Sequence, residues 1–184
     1  ASLSFPDTRY NYPRIGFRID KRQNPKVSIL IPTKDRVDLL QKCISSILKN
    51  ISYNNYEVII IDNESVESQT ISFFSSMKKD GRVSVCSVKG DFNYARLNNI
   101  AASKAKGEIL LLLNNDIESI KVGWFEEMLA HALRPEIGCV GAKLLYPDGR
   151  LQHGGVIVGL GGGAGHSHKN ASRGSRGYTG QLTV

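Results

Sequence analysis

The sequence predicts an α/β domain built on a mostly parallel β-sheet with helices over both faces. Short apolar, β-rich runs alternate with amphipathic stretches at helical spacing, the runs are apolar on both faces, and three of them end abruptly in polar clusters. Strands of that kind belong in parallel sheets, because each crossover connection lays a helix over the sheet.

Residues 1–26, with Pro6, Pro13 and Pro25, read as an extended leader rather than a helix. Val27 to Ile31 is the first strand, closed by Pro32, and Asp38 to Lys49 the first helix, with Leu39, Leu40, Cys43, Ile44, Ile47 and Leu48 on one stripe. Glu57 to Ile61 is the second strand and Val66 to Lys79 a weaker helix stopped before Gly81. Arg82 to Val88 and Glu108 to Leu113 are the third and fourth strands, with a helix from Asn93 to Lys106 between them. Lys121 to Leu133 is the last helix. Gly138 to Tyr146 and Gly155 to Leu160 read as strands joined by the turn Pro147-Asp148-Gly149. From Gly149 onward eleven of 36 residues are glycine, so that tail reads as a mobile loop or as part of a structure that continues. The organisation expected is a leader (1–26), an α/β domain (27–146) and a glycine-rich strand and loop segment (147–184).

The 184 residues suit one α/β domain, and 41% hydrophobic with 22% charged residues implies a packed core and excludes disorder. The longest apolar run, Ile109 to Leu113, is far short of the ~20 residues that span a bilayer, and the N-terminus has no apolar signal stretch. Cys43, Cys86 and Cys139 stand far apart without a C-x-x-C, which argues against a disulfide framework or zinc knuckle and favours a reducing compartment. All three sit in apolar patterns as small core residues. The expectation is a soluble, cytoplasmic protein. The net charge of +7 divides into +5 before Val37, −2 from there to Ala142, and +4 beyond. No basic helix or aromatic-basic motif accompanies it, so nucleic acid is not expected as a partner. The basic ends read as a solvated surface that allows peripheral contact with anionic lipid at the inner face of a membrane.

Ligands of open parallel sheets bind at the carboxyl ends of the strands. Three polar clusters sit there: Thr33-Lys34-Asp35, Asp62-Asn63-Glu64 and Asn114-Asn115-Asp116-Ile117-Glu118. Taken singly each reads as helix capping, with Thr33 or Asp35 on the first helix and Glu64 or Ser65 on the second. Together on one rim they point to a polar ligand. A competing signal, Gly159 to Ala164, satisfies G-x-G-x-x-A directly after a strand. A dinucleotide site needs a helix to open there and an acid about 20 residues on. Gly165-His166-Ser167-His168 is not helical and no acid follows, so that site is rejected. His166 and His168, spaced by one, lack a third ligand and read as a glycine-loop pair facing phosphate or solvent.

The ordered set Ile29-Leu30-Ile31-Pro32-Thr33-Lys34-Asp35, Ile60-Ile61-Asp62-Asn63-Glu64-Ser65, and Asn99 through Gly107-Glu108 into Leu113-Asn114-Asn115-Asp116 resembles a family 2 glycosyltransferase of the Rossmann-like GT-A (nucleotide-diphospho-sugar transferase) fold. Arg150 to Gly155 and the glycines to Gly165-His166 resemble the bacterial rhamnosyltransferase-like group that builds surface polysaccharides. The resemblance implies an inverting transferase acting from a nucleotide-diphosphate sugar, UDP- or dTDP-linked, onto a glycan or lipid-linked acceptor. It implies that Pro32, Thr33, Lys34, Asp35, Asp62 and Asn63 hold base and ribose. Asn114, Asn115 and Asp116 take the place of the D-x-D motif, with Asp116 as the ligand of Mg²⁺ or Mn²⁺. Arg96 and Asn99 complete the donor site, Arg96 toward phosphate. The chain departs from the family at Asn114, a neutral residue at the first motif position, and at Asn98, where arginine is common. Nothing from Leu151 onward is acidic, so the family's catalytic base is expected beyond Val184, and the chain is expected to be the donor half of a longer enzyme. The alternative is a non-catalytic module that binds nucleotide sugar or polyanion.

Overall fold

The computed structural model describes residues 2–4, 14–20, 22–177 and 182; Pro6 and Pro13 of the leader lie outside these. In the leader, β1 (Ser2–Ser4) and β2 (Arg14–Gly16) pair antiparallel. The chain divides into two units, one of them Ile19–Glu126 and the other made of the residues on either side of it.

The Ile19–Glu126 unit holds β3 (Val27–Thr33), α1 (Val37–Asn50), β4 (Tyr56–Asp62), α2 (Ser68–Met77), β5 (Val83–Ser87), α3 (Tyr94–Ala102) and β6 (Ile109–Leu112). Its sheet runs β5-β4-β3-β6 with every neighbour parallel, as the apolar runs predicted. β3 is buried along its whole length because it is an inner strand with both faces covered. Leu30, Ile59 and Ile61 pack with Cys86, Val88, Leu97 and Ala101, which places α3 over one face. Ile29, Ile31, Val58 and Ile60 alternate with them and point to the other face, where they are equally buried. α1 contributes the predicted stripe, with Leu40, Cys43, Ile44 and Ile47 buried.

Three details differ from expectation. β3 runs through Pro32 to Thr33 rather than stopping at the proline. Leu30 gives its carbonyl to Leu113 on the β6 side, so Pro32, two residues on, faces the same side just past the end of β6 at Leu112. Its missing N–H therefore falls where no ladder partner is needed. α3 is shorter than the predicted Asn93–Lys106: Asn93 caps it by accepting the Arg96 N–H at 2.9 Å, and beyond Ala102 the chain continues in turns. α4 (Trp124–Ala132) starts after Gly123, whose φ of +96° breaks the predicted start at Lys121.

At the amino end of the sheet, Glu57 is held by three donors. The Ser28 hydroxyl and the Lys106 N–H reach its Oε1, each at 2.7 Å, and Lys26 Nζ lies 3.4 Å from Oε2. The Gly107 N–H in turn donates to Ser28 Oγ at 2.8 Å, which completes the network. Burial opposes ionisation of Glu57, but the Ser28 hydroxyl, the Lys106 N–H and the Lys26 charge outweigh it and hold the carboxyl below its usual range. A depressed carboxylate stabilises the fold above its unfolded pKa and loses that contribution as pH falls through the folded value. Glu57→Gln is therefore expected to be less stable than the parent at neutral pH, with the gap narrowing below about pH 4. Urea unfolding at both pH values tests this; a gap that stays constant would contradict it.

In the other unit, β7 (Leu144–Leu145) pairs antiparallel with β8 (Leu151–His153), and β9 (Val156–Val158) with β10 (Ala164–His166). The strand predicted over Gly138–Tyr146 shrinks to two residues, and across the Pro147-Asp148-Gly149 turn its partner is β8, not Gly155–Leu160. With no strand at 138–143, Cys139 is exposed, whereas Cys43 and Cys86 are core residues as expected. The G-x-G-x-x-A run closes the β9–β10 hairpin: Gly159 N–H donates to Gly163 O at 2.7 Å and no α-helix opens. His166 meets His153 rather than His168, Nδ1 to Nδ1 at 2.9 Å, because antiparallel strands bring distant residues together. Among the described residues no helix is long and apolar enough to cross a membrane.

Candidate functional site

Register sets the rim of the Ile19–Glu126 unit. Thr33 pairs with Asp62 and Asp62 with Ser87, so the carboxyl ends of β3, β4 and β5 stand level. Leu113 N–H donates to Leu30 O at 3.0 Å, and the chain leaving β6 then meets β3, where Asn115 Nδ2 donates to Thr33 Oγ1 at 3.0 Å. Two of the three predicted clusters are joined by that bond.

α1 pins the segment after β6 at both ends. Cys43 Sγ lies 3.6 Å from Asn114 O; Ser119 N–H donates to Ser46 Oγ at 3.0 Å, and Asn50 Nδ2 to Ser119 O at 2.9 Å. Asp116 sits between these anchors, exposed, with no hydrogen bond or ion pair for its carboxylate among the described residues. Burial, and after it the nearby Asp116 charge, pushes the Cys43 thiol up to about 12, so that thiol is a neutral packing group and not a nucleophile.

The second junction joins the ends of β3 and β4. Asp35 N–H donates to Ser65 Oγ at 2.8 Å, while Asp35 Oδ1 accepts the N–H groups of Val66 and Glu67, both at 2.9 Å. Asp62 Oδ1 accepts the Ser65 N–H at 2.9 Å. The capping expectation is thus corrected. α1 has no side-chain cap, and the free N–H groups ahead of α2 are met by Asp35 from the neighbouring strand end. Asp35 and Arg36 carry φ of 53° and 52°, and Glu64 one of 61°. Left-handed backbone at non-glycine residues costs energy that the surrounding contacts must offset.

The predicted residues divide by what the structure does with them. Lys34, Asn99, Asn114 and Asp116 are exposed, and Asp35, Asp62 and Asn115 partly so. Pro32, Thr33 and Asn63 are buried. Asn63, 1% exposed, donates its amide to Val88 O at 3.2 Å and Gly90 O at 2.8 Å, and its Oδ1 has no hydrogen-bond partner among the described residues. Arg96 is exposed. Its guanidinium donates to Lys89 O at 2.5 Å, beside Gly90, and meets none of the three clusters. Asn99 is joined to the clusters by no contact among the described residues. Sequence reasoning missed the fourth rim loop, after β5, where Glu64 accepts the Gly90 N–H at 2.9 Å. The available signal was Gly90-Asp91, separated by one residue from the capping residue Asn93.

Among the described residues no three His, Cys, Asp or Glu side chains cluster into a metal cage. The donor set at Asp116 is one free carboxylate flanked by the amides of Asn114 and Asn115. That fits a hard divalent cation whose remaining positions are filled by phosphate oxygens and water.

The family model for Glycosyl transferase family 2 matches residues 28–156. An uncharacterised protein of Sinorhizobium fredii, y4gI, is 50% identical over 145 residues, which are 78% of this chain and 16% of that protein. The O-antigen biosynthesis protein RfbC of Myxococcus xanthus is 44% identical over 149 residues, 81% of this chain and 12% of that protein. The chain therefore spans a small part of the length of either relative. Among solved structures, the mannosyltransferase PcManGT from Pyrobaculum calidifontis, in complex with GDP-Man and Mn2+, is similar with a TM-score of 0.57 at 19% identity, over 67% of this chain and 37% of that one.

Proposed function

The chain belongs to glycosyltransferase family 2 and has its GT-A fold, and from that premise we propose that the carboxyl rim of its sheet binds a nucleotide-diphosphate sugar. One observation carries the reading: the carboxylate of Asp116 stands free on a segment that α1 anchors on both sides. Asp116, with the carbonyl oxygens of Asn114 and Asn115, would hold Mg²⁺ or Mn²⁺. Such a cation neutralises the charge on a departing diphosphate. Asp62, at the level of Thr33 and Ser87, faces the nucleoside, and Lys34 lies exposed beside it. Asp35 and Asp62 already accept backbone N–H bonds, and they act as positioning groups at the rim. The rhamnosyltransferase-like assignment belongs to this proposal, as does the segment 27–146 as the donor-binding part. So does transfer by the whole protein to a glycan or lipid-linked acceptor of surface polysaccharide, which is in keeping with the relative named for O-antigen biosynthesis.

Calorimetry with UDP, dTDP and GDP, each with Mn²⁺ and with EDTA, tests the donor reading. At least one nucleotide, with UDP and dTDP favoured, is expected to bind with Mn²⁺ and to lose affinity in EDTA. Failure of all three to bind under either condition would overturn it.

A further inference from the structure

Resting on the donor reading, we propose that Phe92 is the platform on which the nucleoside base stacks. The loops that leave the carboxyl ends of β3, β4 and β6, residues 34–36, 63–67 and 113–123, contain no aromatic residue. The loop after β5 contains Phe92, which is 68% exposed. Its ring meets no other aromatic ring and no cation among the described residues. A single exposed phenylalanine is ordinary on a protein surface. What sets this one apart is the bracing of the loop that carries it.

Asn63 donates to the carbonyls of Val88 and Gly90, Glu64 accepts the Gly90 N–H, and Arg96 donates to the carbonyl of Lys89. Three side chains are thus spent on the backbone of three consecutive residues. A Cβ on Gly90 would lie 3.5 Å from the Arg96 guanidinium, and the glycine's φ of +99° disfavours any other residue. Val88 N–H also donates to Asp62 O at 2.8 Å, which ties the start of the loop to the strand end carrying Asp62. Phe92 is two residues beyond Gly90, within ~7 Å of it along the chain. An exposed apolar ring on a loop braced beside the strand end that carries Asp62 offers a base a face on which to stack, whatever the base's hydrogen-bonding edge. The interaction contributes affinity common to all bases and leaves discrimination among them to the polar rim.

The test compares the parent chain with Phe92→Ala and Phe92→Tyr by calorimetry. The probes are UDP, dTDP and GDP with Mn²⁺, and Mn²⁺-pyrophosphate as a ligand without a base. Phe92→Ala is expected to weaken the bound nucleotides roughly 5- to 100-fold and to leave pyrophosphate unchanged, while Phe92→Tyr retains affinity. Because the side chain is exposed, the alanine variant should melt with the parent. If the parent binds nucleotide and Phe92→Ala binds it equally well, the stacking proposal fails while the donor reading stands. Equal weakening of nucleotide and pyrophosphate would also overturn it, by marking a general lesion of the rim. A parent chain that binds no nucleotide removes both readings.

Discussion

Asp116→Ala is expected to abolish the metal-dependent part of nucleotide-diphosphate binding, raising Kd by at least ~10- to 100-fold. That is the loss typical when a mere outer-shell partner of a bound metal is removed, and a direct ligand should cost no less. The reasoning is electrostatic. Asn114 and Asn115 offer neutral oxygens, so Asp116 supplies the whole negative charge of the motif. Its removal leaves the protein only dipoles with which to hold a divalent cation. The fold should be untouched, since the segment is anchored by Cys43, Ser46 and Asn50 and the carboxylate itself is exposed. The thermal midpoint of the variant should match the parent. Its nucleotide affinity in Mn²⁺ should match that of the parent in EDTA. An affinity indifferent to both Asp116→Ala and EDTA would exclude a metal role for this residue.

Gly107→Ala is expected to be the most damaging small substitution to the fold. A Cβ at Gly107 would lie 2.5 Å from the Ser28 backbone nitrogen, 2.7 Å from Ser28 Oγ and 2.8 Å from the Lys26 carbonyl. Two of these atoms are backbone of β3 and its approach, so no flexible side chain can yield. Either the sheet or the α3–β6 connection must shift. Overpacking of this kind costs ~1–3 kcal/mol and occasionally more. Loss of the Gly107–Ser28 bond and disturbance of the donors around Glu57 would add ~1–3 kcal/mol. For a chain of this length the thermal midpoint should fall on the order of 10 °C. Gly81→Ala is the matched control: a Cβ there meets nothing within 4 Å, and its effect should be slight. A Gly107→Ala midpoint within about 2 °C of the parent would contradict the close approach.

The fold of the Ile19–Glu126 unit was legible because its signals are local. Ile29-Leu30-Ile31, Val58-Ile59-Ile60-Ile61 and Leu110-Leu111-Leu112 each exceed what one half-buried face requires, and the stripes between them have helical spacing. Parallel order then follows from strand–helix alternation. Beyond Glu136 the apolar runs are short and broken by glycine. Gly138–Tyr146 carried a strand-like pattern of which only Leu144–Leu145 pairs, with β8 and not with the segment expected. Glycine-rich chain accepts several registers, and local pattern does not choose among them.

For the site, sequence alone determined that Thr33, Asp35, Asp62 and Asp116 would leave an apolar core at the same end of one sheet. A strand apolar on both faces can release a carboxylate only where it ends. The tertiary structure decided what each side chain does there. Asn63 and Arg96 donate to the backbone of the loop after β5, contacts no local pattern shows, because only the folded sheet brings that loop beside them. Asp35 looked like a cap for the helix that follows it, yet it satisfies N–H groups ahead of α2, because left-handed backbone at Asp35 and Arg36 accompanies a bond to Ser65 thirty residues away. Of the rim aspartates Asp35, Asp62 and Asp116, the last keeps a carboxylate with no hydrogen bond or ion pair among the described residues. Hydrogen-bond partners across neighbouring strands are set by register and by the geometry of loop closure, and neither is written in the residues on one side of the contact.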